Sequence, residues 1–381
     1  MGQAFRSSSS SLVFLGLAAA AFGLPACSSS DAEAKKGTST DSYLSADGLA
    51  DLATIDAERF RGTAVITAEE AQSNGFTRVT FDPASGPICL KGGAFTAFYA
   101  DRGSDKTMLI MNGGGACWSS LMACSIEASA TAAPIGPASD GADRYFGDWN
   151  VIIASYCDGS VFSGNNEVQE ADGTTRYHHG SQNLTASLDI AAEHFPDTKQ
   201  FMVGGFSAGG FGTLPGMVLA RLYYPKADLF VLDDSGPGVQ NLNQPTGIQE
   251  RLDEWKFADS IPASCTVCDQ GRGELSGMFS WMLERDQNIK ISVLSYFEDG
   301  VIGGVFLGLP GPEYKALLTS WTGKVQSVYP DRFKRYMLPG SGHVVSGGYK
   351  TVTADGVLVS AWTEGMVKGD AVWKDLMATG P

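Results

Sequence analysis

The chain has 381 residues, 43% of them hydrophobic and 18% charged, enough for one large globular domain with a sizeable core. A formal net charge of −15 argues against nucleic acid as a partner, because a phosphate backbone would be repelled. An anionic substrate would need a local basic patch, and no Lys/Arg run is visible.

The first residues carry an address. Met1–Arg6 is basic, Ser11–Leu24 is apolar but too short to span a membrane comfortably, and Leu24-Pro25-Ala26-Cys27 closes the stretch. This pattern predicts a lipoprotein-type signal peptide over 1–27, with Cys27 lipidated and serving as the mature N-terminus. Ordinary cleavage nearby, leaving a secreted soluble protein, is the alternative. Residues 28–50 are polar enough to read as a flexible tether. Residues 51–381 then form a single domain held at a cell envelope or cell surface by its lipid alone, and monomeric.

Removing Cys27 from the seven cysteines leaves six, an even number that suits disulfides in an exported protein. Locality favours Cys117–Cys124 and Cys265–Cys268, which leaves Cys89–Cys157. Cys265-Thr266-Val267-Cys268 could also be half a metal site. No second such pair and no His pair stands at suitable spacing, so no metal and no cofactor is expected.

From about residue 64 the pattern turns to strands. Phe76–Phe81 alternates, Thr96–Ala100 follows, and Thr107–Met111 is a continuous apolar run typical of a strand buried on both faces. That run ends in Asn112-Gly113-Gly114-Gly115-Ala116. Trp149–Tyr156 is another buried strand, and 181–194 has helical spacing. Gln200–Val203 is a short strand before Gly204–Gly210, and Phe211–Leu222 reads as a helix despite Pro215. Further strands are expected over 229–232, 289–296 and 333–338. Residues 240–288 look like an insertion capping the sheet. Trp362, Met366, Val367, Val372, Trp373 and Leu376 predict a terminal helix. Strands alternating with helices indicate a mostly parallel sheet covered on both faces, with function gathered at the carboxyl ends of the strands.

Gly205-Phe206-Ser207-Ala208-Gly209 fits G-x-S-x-G, here between a strand and a helix, which is the setting of a nucleophile elbow. A serine hydroxyl needs a base to take its proton and a third group to orient that base. Of the four histidines, His194 ends a helix and His178 and His179 sit in a polar stretch before one, where structural roles suffice. His343 follows a strand, late in the chain, where the order Ser…Asp…His places a base. Asp299 is the expected acid, with Glu298 and Asp234 as alternatives. The oxyanion donors expected are the N–H of Ala208 and those around Gly114 and Gly115.

These motifs together resemble the pectin acetylesterase/Notum family of serine carboxylesterases. The resemblance lies in Asn112–Trp118 with Cys124, Ser155–Gly164, Gly205–Gly210, Asp234–Gly236, Ser295–Asp299 and Gly342-His343. It implies an α/β-hydrolase-like fold, carboxylic-ester hydrolysis, and Ser207, Asp299 and His343 as nucleophile, acid and base. It also supports the three disulfides. Two departures stand out: Ala116-Cys117-Trp118 reorders the aromatic and the cysteine, and Gly300-Val301-Ile302 replaces the family's Trp and Gln. The function expected is removal of short acyl groups, acetate above all, from a carbohydrate. A lipase-like or polyester-degrading hydrolase, and a binding module on a hydrolase scaffold, are the alternatives.

Overall fold

A computed structural model describes residues 42–141, 144–241, 243, 250–251, 253–268 and 275–378. The expected signal segment with Cys27, and the tether up to residue 41, lie outside the described residues, as do parts of the expected cap. In chain order, β1 (Ile66–Ala71), β2 (Thr77–Phe81) and β3 (Thr96–Ala100) run antiparallel along one side of the main sheet. β4 (Lys106–Met111) follows, and then β5 (Gly115–Trp118) and β6 (Leu121–Cys124) pair as a separate hairpin. β7 (Asn150–Ala154) returns to the sheet, while β8 (Asn166–Gln169) and β9 (Thr175–His178) make a second hairpin outside it. β10 (Gln200–Phe206), β11 (Asp228–Asp234), β12 (Ile289–Tyr296) and β13 (Phe333–Leu338) continue the sheet. β14 (Thr353–Ala354) pairs with β15 (Val357–Leu358), and β16 (Leu376–Met377) closes the far edge. The order is β1-β2-β3-β7-β4-β10-β11-β12-β13-β16, parallel at every pair from β7 to β16.

The central strands are apolar on both faces because both faces are covered. In β4, Leu109 and Met111 join one core cluster and Met108 and Ile110 the other; in β10, Phe201 and Val203 oppose Met202 in the same way. Helices α1 (Ala46–Thr54), α2 (Gly180–His194), α3 (Ala208–Tyr223), α4 (Gly277–Arg285) and α5 (Gly311–Val328) contribute buried residues to the first cluster, and α6 (Val359–Lys368) to the second. This is the α/β-hydrolase-like arrangement: a large, mostly parallel sheet between layers of helices.

Two expectations change. The ordered chain takes in residues 46–50, assigned above to the tether: α1 is N-capped by Ser45. Leu44 and Leu52 bury themselves in the core, and Leu44 bridges to Asp286. The terminal helix stops at Lys368, because Gly369 adopts a left-handed φ of 73°. Beyond it Leu376 and Met377 pair with Tyr336 and Met337 as a strand. The structure contains the disulfides Cys89–Cys157, Cys117–Cys124 and Cys265–Cys268. Disulfides of this kind belong to an oxidising, extracellular-type setting.

Candidate active site

Ser207 occupies the turn between β10 and α3 with φ 55° and ψ −119°, a region that a residue with a side chain enters only under constraint. The constraint is visible. Ser207 N–H donates to the Asp234 carbonyl at 2.8 Å. A Cβ on Gly205 would lie 2.0 Å from the Gly209 carbonyl oxygen, and one on Gly209 would lie 2.0 Å from that of Met111. Only glycine at both positions lets the turn close this tightly against β4. The turn leaves the serine 8% exposed.

The candidate acid and base follow β12 and β13, the second and third strands along the sheet from β10. His343 follows β13, and its Nδ1 lies 2.8 Å from Asp299 Oδ2. Asp299 follows β12; its Oδ1 accepts the N–H groups of Val301 at 2.9 Å and Ile302 at 3.0 Å, at the start of a π-helical turn over Gly300–Phe306. One carboxylate oxygen is thus fixed by backbone while the other faces the imidazole. With Nδ1–H donating to Asp299, the lone pair of the neutral ring is on Nε2.

The other two acid candidates do different things. Glu298 packs against Gly311 at the start of α5. Asp234 is buried and accepts the N–H groups of Val345 at 3.0 Å and Ser346 at 2.6 Å. Its neighbour Ser235 accepts the N–H of Val344 through Oγ at 3.2 Å. Burial raises the Asp234 carboxyl's pKa, against the hydrogen bonds from Ser346, Val345 and Ser235. Asp234 therefore anchors the loop behind His343 while its own carbonyl holds Ser207, a positioning role that the sequence did not disclose. The remaining histidines lie elsewhere. His178 is fully buried with Nδ1 3.1 Å from the Asp158 carbonyl, and burial pushes its pKa down to about 3. His194 stacks on Tyr99 at 4.1 Å.

Ser207 and His343 line one open groove, together with Gly113, Gly114 and Gly115. A Cβ on Gly113 would stand 3.0 Å from Ser207 Cβ, so the glycine loop runs directly against the serine. Gly115 opens β5 with φ 79°, and a Cβ there would meet the Ala123 carbonyl at 1.9 Å. Ala208 is the first residue of α3, where backbone N–H groups have no acceptor within the helix. The glycine loop and the start of α3 therefore both lie against Ser207.

A second, less open cavity also lies against Ser207 and Ala208. Trp118, Phe211, Trp255 and Phe306 dominate its walls, and Gln240 and Arg251 are its polar exceptions. Trp255 Nε1 donates to the Cys117 carbonyl at 2.8 Å, joining the connection between β11 and β12 to the β5–β6 hairpin. Sequence reasoning named Trp118 only within the motif that follows the glycine loop and singled out none of the others for the site. They come from separate stretches of chain, and no spacing links them.

Comparison with known proteins adds the family. The pectinacetylesterase family model matches residues 67–256, which include the glycine loop and Ser207. The chain is 30% identical over 139 residues to pectin acetylesterase 5 of Arabidopsis thaliana, covering 32% of each protein. It is 27% identical over 169 residues to pectin acetylesterase 4 of the same plant, covering 40% of this chain and 41% of that one. Against pectin acetylesterase 11 of that plant it is 26% identical over 211 residues, covering 48% and 52%. The alignments thus span about a third to a half of the length of these curated relatives. The same glycine loop and elbow serine that the fold brings together fall within the matched stretch, and the chain belongs to the pectinacetylesterase family.

Proposed function

We propose that this protein is an exported carboxylic-ester hydrolase that deacylates a carbohydrate through an acyl-enzyme on Ser207. The observation that carries the proposal is the convergence of a strained Ser207, the Asp299–His343 pair and the glycine loop on one groove. His343 Nε2 takes the Ser207 proton as Oγ bonds to the ester carbonyl carbon. The oxyanion is met by Ala208 N–H and by N–H groups of Gly114 and Gly115. His343 returns the proton to the departing alkoxide, and water activated by the same ring then releases the acid. Asp299 holds the ring and stabilises it while it is charged. Acetate on a sugar hydroxyl is the substrate that the relatives' names suggest. The signal-like stretch ending at Cys27 supports a lipid-anchored location at the cell envelope.

The cavity beside Ser207 supports a second reading of the acyl group, a longer apolar chain, since Trp118, Phe211, Trp255 and Phe306 line it. Initial rates on para-nitrophenyl esters from acetate to decanoate separate the two. An acetylesterase is fastest on acetate, whereas a maximum at butyrate or longer selects the larger acyl group. Absence of turnover at every length by the folded protein would refute the esterase proposal.

A further inference from the structure

The less open cavity holds a feature that plain ester hydrolysis does not use. Its walls are aromatic and aliphatic, yet Arg251 lines it, from the connection between β11 and β12. The guanidinium lies 5.0 Å over the Trp118 ring and donates to Gln240 Oε1 at 2.9 Å. Among the described residues, that neutral amide oxygen is the hydrogen-bond acceptor this guanidinium meets. Glu250 bears on Arg251 electrostatically, but its carboxylate accepts the Ser120 hydroxyl. Burial pushes Arg251 down to about 10, with Glu250 opposing. It nonetheless remains a cation at neutral pH. Arg251 is half-buried, and a partly desolvated cation on an apolar wall is better satisfied once an anion meets it. Its planar fork suits a carboxylate in two parallel hydrogen bonds, and the Trp118 face behind it fixes that plane.

The two cavities that meet at Ser207 divide a substrate between them. His343 lines the open groove but not the less open cavity. Because the base must hand its proton to the leaving alkoxide, the alcohol part occupies the groove. The acyl part is left with the less open cavity, and Arg251 is there.

We propose that Arg251 is a specificity residue that binds a carboxylate on the acyl group, so that the preferred substrate is a half-ester of a dicarboxylic acid. This rests on the esterase reading of Ser207. Ser207 Oγ bonds to the ester carbonyl carbon as the carbon–alkoxide bond breaks, and the alkoxide leaves with the proton from His343. Water then cleaves the acyl–Ser207 bond and frees the dicarboxylate. The distal carboxylate stays on Arg251 and takes no part in bond changes. On a chain of net charge −15 the overall field repels an anion, so this selectivity must arise inside the cavity.

The test compares para-nitrophenyl hemiglutarate with para-nitrophenyl valerate, which match in length and differ in the terminal carboxylate. Wild type should show kcat/KM at least about ten-fold higher for the hemiglutarate. In R251M that ratio should fall to about one, and R251K should retain part of it. A wild-type ratio of one or below, or an unchanged ratio in R251M, overturns the proposal. Hydrolysis of neither ester by a protein that turns over para-nitrophenyl acetate also overturns the proposal, whereas failure on acetate as well would sink the esterase reading instead. Arg251 is then judged by tryptophan fluorescence of the wild-type protein titrated with phenylbutyrate and with phenylbutyramide. The acid should bind about ten-fold more tightly than the amide, and equal binding overturns the proposal even if R251M does not fold.

Discussion

Three side chains from three strand ends carry the proposed chemistry, and each substitution should have its own signature. Ser207→Ala should lower kcat by about a thousand-fold or more while leaving the thermal transition near wild type. Asp299→Asn keeps the shape but presents an amide to one of its partners, Val301/Ile302 N–H or His343 Nδ1. Steady-state kinetics should show a loss of roughly a thousand- to ten-thousand-fold in kcat. Asp234→Asn removes an acceptor from the Val345 and Ser346 N–H pair behind His343. It should cost about ten-fold in kcat and also lower Tm. If the Asp234 variant were the worse of the two in kcat, the roles given to the two aspartates would be reversed. That Ser207 and His343 would meet at one groove was legible in the sequence, because motif, strand and chain order coincide there. The choice between Glu298 and Asp299 was not, because it depends on how the backbone turns after Tyr296. Arg251 was not legible either: the basic patch missing from the sequence is one residue, placed by the connection between β11 and β12.

At the level of elements, the β5–β6 hairpin matters beyond its size. It carries Gly115 and Trp118 to the two cavities, and its disulfide Cys117–Cys124 keeps its strands together. Gly115→Ala would place a methyl group 1.9 Å from the Ala123 carbonyl at a φ of 79°. Urea unfolding should register a loss of about 2–4 kcal/mol, with kcat falling as the glycine loop shifts. Unchanged stability and rate would show that the loop tolerates a side chain there. The central strands were readable as apolar runs, since burial on both faces leaves little else. α5 was left unassigned, although Tyr314, Leu318, Thr322 and Val325 are its buried residues and recur at helical spacing. Thr322 in that stripe weakens a purely hydrophobic signal; its hydroxyl donates to the Leu318 carbonyl at 2.7 Å. The tail failed for another reason. Trp362, Trp373 and Leu376 share one core cluster, but Trp362 reaches it from a helix and Leu376 from a strand.

Across the whole molecule, the disulfides and the buried charges set the response to solvent. Cys89–Cys157 spans 68 positions and closes far more chain than Cys265–Cys268, which spans 3. Loop-closure entropy gives the long bridge about 4 kcal/mol and the short one about half of that. Denaturant titration of the double-alanine variants should rank them in that order. Acid should weaken the fold partly through His178, whose ring has a pKa of about 3 in place of 6.5. Between those values the unfolded chain binds a proton that the folded one refuses, so this contribution is complete above about pH 6.5. It is lost as pH falls toward about 3, at up to about 1.4 kcal/mol per pH unit. Buried Asp158, Asp233 and Asp234, whose carboxyl pKa values are raised, act in the opposite direction above the ordinary carboxylate range. Comparing wild type with His178→Gln isolates the histidine. Their stability difference should shrink between pH 7 and pH 5, and a constant difference would mean that the buried ring does not titrate with folding.

The central claim is that Ser207 forms the acyl-enzyme, and covalent labelling reads it most directly. The folded protein is treated with a fluorophosphonate probe and its peptides are mapped by mass spectrometry. One label on the peptide carrying Ser207, slowed by competing ester and absent from Ser207→Ala, is the predicted result. An unlabelled protein, or a label on any other residue, would contradict it.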